Sequence, residues 1–138
     1  MAARRPTRIV PAAPGGALKR RYEALCALAL KLPGVEISSS YRTPSIKVKG
    51  KFLGRLRTEA EGAFAIRCDF LDRQILMQAH PAAFFVTDHY LNYPMVLVRL
   101  DQVGRRELSD LLERAWRMVA TPALIRQKEE GSASSPRQ

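Results

Sequence analysis

The apolar positions of this chain alternate between two periods. From Ala17 to Leu32, the residues Leu18, Tyr22, Leu25, Ala29 and Leu32 fall at four-three-four-three spacing. That is the stripe of an amphipathic helix, and Pro33-Gly34 stops it. Period-two alternation then predicts strands near Ser38–Tyr41, Pro44–Lys49, Phe52–Arg57 and Ala63–Cys68, the last two joined by a polar turn ending in Gly62. Asp69 is placed to cap a second helix, Phe70 to Ala79. Pro81 opens an extended segment containing Phe84-Phe85-Val86-Thr87, and a polar-aromatic loop runs from Asp88 to Pro94. Met95-Val96-Leu97-Val98-Arg99-Leu100 follows, apolar on both faces as a buried central strand is. A closing helix, about Arg105 to Ala120, sets Leu108, Leu111, Leu112, Ala115 and Val119 on one stripe before Thr121-Pro122 ends it. This order predicts an α+β fold, a two-layer sandwich with an antiparallel sheet and helices packed on one face.

One hairpin carries an unusual charge pattern. Between Glu36 and Glu59 the chain holds six Lys and Arg residues and no acid. Within it, Ile46-Lys47-Val48-Lys49-Gly50-Lys51-Phe52-Leu53-Gly54-Arg55-Leu56-Arg57 alternates apolar with cationic. Successive strand side chains point to opposite faces, so register decides whether the two strands agree. A two-residue turn at Gly50 would place Ile46 and Val48 on the side of Arg55 and Arg57. A three- or five-residue turn instead groups Ile46 and Val48 with Phe52, Gly54 and Leu56, and sets Lys47 beside Arg55 and Arg57. The longer turn is therefore expected, with Gly50 left-handed or bulged. Leu53 then falls on the cationic face, the one misfit. Arg67, in the strand that follows, extends that face.

Charge gives the pattern its meaning. The formal net charge is +10, and residues 17–126 alone hold 18 basic and 11 acidic groups, a balance of +7. The excess therefore belongs to the folded part and points to a polyanionic partner. At 138 residues and 46% apolar, the chain suits one domain with one core. Residues 1–16, with Pro6, Pro11, Pro14, Gly15 and Gly16, are expected to form a disordered basic tail. Residues 17–126 then form the domain, and 127–138 a second disordered tail. No apolar run reaches the length of a membrane span and no secretory signal opens the chain, so a cytoplasmic protein is expected. Cys26 and Cys68 lie far apart in apolar patterns and are expected as buried free thiols.

Several motifs resemble the MmcQ/YjbR family. They include Leu32-Pro33-Gly34-Val35-Glu36, Tyr41-Arg42-Thr43-Pro44, Lys47-Val48-Lys49-Gly50-Lys51 and Arg67-Cys68-Asp69. Phe84-Phe85-Val86-Thr87, His89-Tyr90, Tyr93-Pro94 and Val96-Leu97-Val98-Arg99-Leu100-Asp101 follow in family order. The resemblance implies a frataxin-like (CyaY-like) sandwich and a DNA-binding designation that rests on a double-wing structural analogy. The chain departs from the family pattern at Met95, where Trp is frequent, at Asn92, where Gly is common, and at Asp88, where Pro is common. The frataxin likeness also raises iron binding. However, the first helix carries Lys19, Arg20, Arg21 and Lys31 against Glu23, the reverse of what a hard cation needs. No metal and no cofactor are expected.

The candidate nucleic-acid contacts are Lys47, Lys49, Lys51, Arg55, Arg57 and Arg67, acting on phosphate with little base specificity and on duplex DNA as the expected form. The same cations also suit a solvated sheet face whose edge lysines discourage aggregation. His89, Tyr90 and Tyr93 form a second candidate, a small pocket or partner contact. The bland alternative is a packed loop covering the end of the sheet. The competing function is thus a protein-interaction or small-ligand module using the His89–Tyr93 loop. Trp116 is expected at the core edge, and Arg105, Arg106, Arg114 and Arg117 in an ion-paired solvent face with Glu107, Asp110 and Glu113. No Gly-rich phosphate loop, zinc spacing or nucleophile elbow is present, so the chain is read as a non-enzyme.

Overall fold

The structure, a computed structural model, describes residues 16–38, 44–57 and 63–133. The expected N-terminal tail up to residue 15, the expected strand residues 39–41, the turn before Ala63 and residues 134–138 lie outside the described residues. Helix α1 spans Gly16–Ala29 and the strands that follow are β1 (Val35–Ser38), β2 (Ser45–Val48), β3 (Lys51–Arg57) and β4 (Ala63–Arg67). Helix α2 (Phe70–Ala79), strands β5 (Phe84–Phe85) and β6 (Met95–Arg99), and helices α3 (Arg105–Val119) and α4 (Pro122–Ala133) complete the chain. All strand pairs are antiparallel, in the order β1-β2-β3-β4-β6-β5. The α+β sandwich is the observed fold.

Helices α1 and α3 form where their stripes are. Tyr22, Leu25, Leu28 and Ala29 of α1 and Leu108, Leu111, Leu112, Ala115, Trp116 and Val119 of α3 are buried against one sheet face. That face contributes Ile46, Val48, Leu53, Leu56, Phe64, Ile66, Phe84, Val96 and Val98 to the same core. Trp116 is fully buried, and its indole N–H donates to the Pro33 carbonyl at 2.8 Å, fastening α3 to the turn that ends α1. Asp69 caps α2 as expected, its carboxylate accepting from the Asp72 N–H at 2.7 Å.

The first strand lies at Val35–Ser38, ahead of the expected Ser38–Tyr41, and Trp116 is inside the core and not at its edge. Two further expectations are overturned. The hairpin turn has two residues, Lys49 and Gly50, with φ of 51° and 84°, and Val48 pairs with Lys51. Both central residues are left-handed, the geometry whose twist matches a tight hairpin. The parity problem is solved inside β3 instead. Ile46 pairs with Gly54 and Lys47 with Phe52, so Leu53 is an extra residue bulged out of register. One inserted residue reverses facing, which sends Leu53 into the core and Phe52 to the opposite face. The grouping of Lys47 with Arg55 and Arg57 survives, by a different mechanism. The second correction concerns residues 127–133, read as tail but helical in α4. Thr121-Pro122 starts a helix as well as ending one. The Thr121 hydroxyl accepts from the Leu124 N–H at 3.2 Å, and proline is at home in the first helical position. Leu124, buried, packs at Gly34, and Lys128 pairs with Glu113 at 3.5 Å.

Candidate functional site

Among the described residues, the sheet face away from α1 and α3 is left open by the helices, and it is built by register. Arg55 stands opposite Ala65, which stands opposite Leu97, and Arg57 stands opposite Ala63, which faces Arg99. Arg67 is opposite Met95, and Lys47 is opposite Phe52 on one side and Glu36 on the other. Ala63, Ala65, Tyr90, Met95 and Leu97 form a small second apolar cluster here, with Phe52, Phe85 and Val86 against it. The arginines cover it by lying on rings. Arg55 is 5.6 Å from the Phe52 ring centre, Arg57 5.6 Å from that of Tyr90 and Arg99 4.1 Å from that of Phe85. Arg57 Nη1 also donates to the Tyr90 hydroxyl at 3.0 Å, and Arg67 Nε donates to the Phe52 carbonyl at 2.9 Å. Arg55 Nε is buried and has no hydrogen-bond partner among the described residues.

The loop between β5 and β6 closes one end of this face. Asp88–Tyr90 is a single 3-10 turn, and the His89 and Tyr90 rings meet edge to face at 4.6 Å. Arg73 of α2 holds the loop. Its guanidinium donates to the carbonyl oxygens of Tyr90 (3.3 Å), Leu91 (2.9 Å), Tyr93 (3.0 Å) and Met95 (3.0 Å). Nη1 serves three of these acceptors with two hydrogens and Nη2 the fourth; the guanidinium sets its donors in a rigid plane, where a lysine has three on one flexible ammonium. Between the loop and the sheet lies a recess of about 330 Å³. Phe52, Pro94 and Met95 supply its apolar lining, Arg55 and Arg67 its cations, and His89, Tyr90 and Tyr93 its polar rings. No acid lines it.

A larger cavity of about 610 Å³ between α2 and α3 has the opposite character. Asp69, Asp72, Glu107 and Asp110 line it together with Arg67, Arg114 and Arg117 around apolar Ile75, Leu111 and Met118. Of the α3 arginines, Arg117 pairs with Glu113 at 2.9 Å and Arg114 with Asp72 at 3.5 Å. His80, closing α2, contacts Glu107 at 3.3 Å and the Phe84 ring. Cys68 is buried and Cys26 half-buried, both as free thiols. Burial first, then Asp72 and Asp69, pushes the Cys68 thiol up to about 11, and burial raises Cys26 also. Thiols held protonated are poor nucleophiles and poor ligands. Among the described residues, no group of three or more His, Cys, Asp or Glu side chains is gathered as a metal site.

A YjbR family model matches residues 30–118, well over half of the chain. The chain belongs to the YjbR family. Among solved structures, this YjbR-family protein resembles Deinococcus radiodurans protein DR2400, of the family-model domain DUF419. The TM-score is 0.63 at 21% identity, covering 78% of this chain and 87% of that one, a likeness of fold. Uncharacterized protein Rv2570 of Mycobacterium tuberculosis and uncharacterized protein Mb2600 of Mycobacterium bovis are each 40% identical over 50 residues. That stretch is 36% of this chain and 39% of either relative, so the match spans well under half of the curated relatives' length.

The fold sorts the sequence-derived candidates. Arg55 and Arg67 meet His89, Tyr90 and Tyr93 in one recess, so two sites read separately along the chain form one. Arg57 joins them through Tyr90, and Lys47 shares the face but stands beside Glu36 in the ladder. Lys49 and Lys51 sit apart. Lys49 is in the turn, its N–H on the Gly34 carbonyl at 3.0 Å, and Lys51 pairs with core-facing Val48. Sequence reasoning missed Arg73 and Phe52. Arg73 lies on an unremarkable helix and no spacing marks its four acceptors. Alternation alone puts Phe52 on the apolar face, and the bulge at Leu53 turns it to the other. The Leu53 misfit was the signal that a residue was out of register.

Proposed function

We propose that this protein binds nucleic acid through the open face of its sheet, as a cytoplasmic binding protein without catalysis. Arg55, Arg57 and Arg67 contact phosphate, and the His89–Tyr93 loop contacts the strand beside it. What carries this reading is the recess in which Arg55 and Arg67 meet His89 and Tyr93 with no acid among the described lining residues. Guanidinium groups are matched to phosphate by their planar donor fork. The net charge of +10 supplies the long-range attraction. Anisotropy of a fluorescent oligonucleotide tests it. Binding is expected at low ionic strength, with log K falling linearly in log salt. Arg55→Gln with Arg67→Gln is expected to weaken binding about ten-fold or more and to reduce the salt slope by about 1.5 to 2, the slope lost with two phosphate contacts. Absence of salt-sensitive binding overturns the proposal.

The recess itself favours a second reading, a small-ligand module using the same loop. A loop fixed by Arg73 before any ligand arrives suits a small anionic molecule equally well. Stabilisation by a nucleotide or carboxylate in a thermal-shift panel, abolished by Tyr93→Ala and accompanied by no oligonucleotide binding, selects this reading.

A further inference from the structure

We propose that the recess between Arg67 and Tyr93 holds one unpaired base, so that the nucleic acid bound on this face is single-stranded at the point of contact. This base pocket presupposes the nucleic-acid reading of the open face and adds to it the form of the strand.

The mixed chemistry of the lining offers more than a phosphate-tracking role uses. Phe52, Pro94 and Met95 offer an apolar surface beside the guanidiniums of Arg55 and Arg67. A duplex keeps its bases paired and stacked inside and presents a phosphate rail and groove edges, which leave that apolar surface without a partner. An unpaired nucleotide carries a π-face and a phosphate in one residue, the combination that single-strand platforms bind with aromatic and cationic side chains. Size agrees. About 330 Å³ lies at the low end of small-ligand sites, room for one ring system and not for a helix.

The ring and the donor are already in place. Tyr93 is 59% exposed, more than any other described Phe, Tyr or Trp, yet its backbone is pinned by Arg73. A large ring held in water on a fixed loop loses little freedom when it stacks. Arg55 Nε is desolvated without a protein acceptor among the described residues, and a base carbonyl or a phosphate oxygen supplies one.

The test compares three fluorescent probes at one salt concentration: an oligothymidylate, an abasic oligomer of the same length and backbone, and a duplex. The oligothymidylate is expected to bind about ten-fold or more tighter than the abasic oligomer, the stacking of one base on an aromatic side chain, and tighter than the duplex. Tyr93→Ala is expected to erase that difference. Tyr93→Trp is expected to retain it and to add a fluorescence signal quenched on binding, clear of the sole native tryptophan, the fully buried Trp116. Equal binding of all three probes, unaffected by Tyr93→Ala, overturns the base pocket and leaves the phosphate reading standing. Binding of none of them overturns both.

Discussion

Arg73 is the residue on which the site's shape depends. Four backbone carbonyls converge on its guanidinium, three of them sharing the two hydrogens of Nη1. A charged donor contributes roughly 1.5–3 kcal/mol per bond only where water is kept away, as for the part-buried Tyr90 and Met95 carbonyls and not for the exposed Leu91 and Tyr93 ones. Arg73→Lys keeps the charge but cannot span four acceptors. Amide exchange in residues 90–93 is expected to accelerate about ten-fold or more while the β4 and β6 amides keep their protection, measured by hydrogen exchange with mass spectrometry. Equal acceleration throughout the sheet would show that Arg73 supports the whole fold and not the loop. Cys68 sets a pH limit of its own. Its thiol is raised from the ordinary 9.0 to about 11, so the folded state holds a proton that the unfolded chain gives up first. The stabilisation is complete below pH 9 and is lost as pH rises towards 11. Tyr22 and Cys26, both raised by burial, act in the same direction. Cys68→Ala is therefore expected to flatten, without abolishing, the fall of the urea midpoint between pH 9 and 11. An unchanged alkaline slope would overturn this assignment.

At the scale of the element, the β2–β3 hairpin decides which residues face the recess. Its two-residue turn and its bulge are both needed, because each alone reverses the facing of one strand against the other. Gly54 beside the bulge is constrained by space. A Cβ there would lie 2.5 Å from Phe64 Cε2 and 2.7 Å from the Ala65 carbonyl oxygen. Neither can retreat, since Phe64 is fully buried and Ala65 is in the central ladder. Gly54→Ala is expected to destabilise the protein by about 1–3 kcal/mol, the cost of overpacking a core, read as a lower urea midpoint at unchanged m-value. A shift under a few tenths of a kcal/mol would mean that the bulge relaxes. The hairpin's existence, its strands and its Lys47–Arg55–Arg57 grouping were legible from alternation alone. The bulge was not, because parity records only whether the number of extra residues is odd. It does not say whether the extra residue sits in the turn or the strand. Likewise Thr121-Pro122 carries the same letters whether a helix ends or begins there, and only the packing of Leu124 at Gly34 selects the second helix.

For the whole molecule, charge and site need to be separated. A protein of net charge +10 attracts any polyanion, so weakened binding after removing two cations does not by itself locate a site. Two charge-matched variants do. Lys49→Gln with Lys51→Gln and Arg55→Gln with Arg67→Gln remove the same charge, but only the second pair lines the recess. The lysine pair is expected to lose less than about three-fold in affinity and the arginine pair about ten-fold or more at equal salt, by the same anisotropy titration. Equal losses would mean that the field of the molecule, and no particular face, does the binding.

The sequence by itself determined the α+β order, the stripes of α1 and α3, the cap of α2 and the cationic strand face, because each depends on residues within a few positions of one another. Tertiary structure alone decided that this face and the His89–Tyr93 loop are one site. Arg55, Arg67 and Tyr93 meet there because β4 pairs with β6, and that pairing is set by core packing across some thirty residues of intervening chain. It also decided that Arg73, a residue with no local signature, would hold the loop, since its four acceptors lie 17 to 22 positions away. The cations on the open face were written in the chain. Which of them stand beside the exposed ring was settled by one bulged residue and one strand pairing, both products of burying Leu53, Phe64 and Trp116 in a single core.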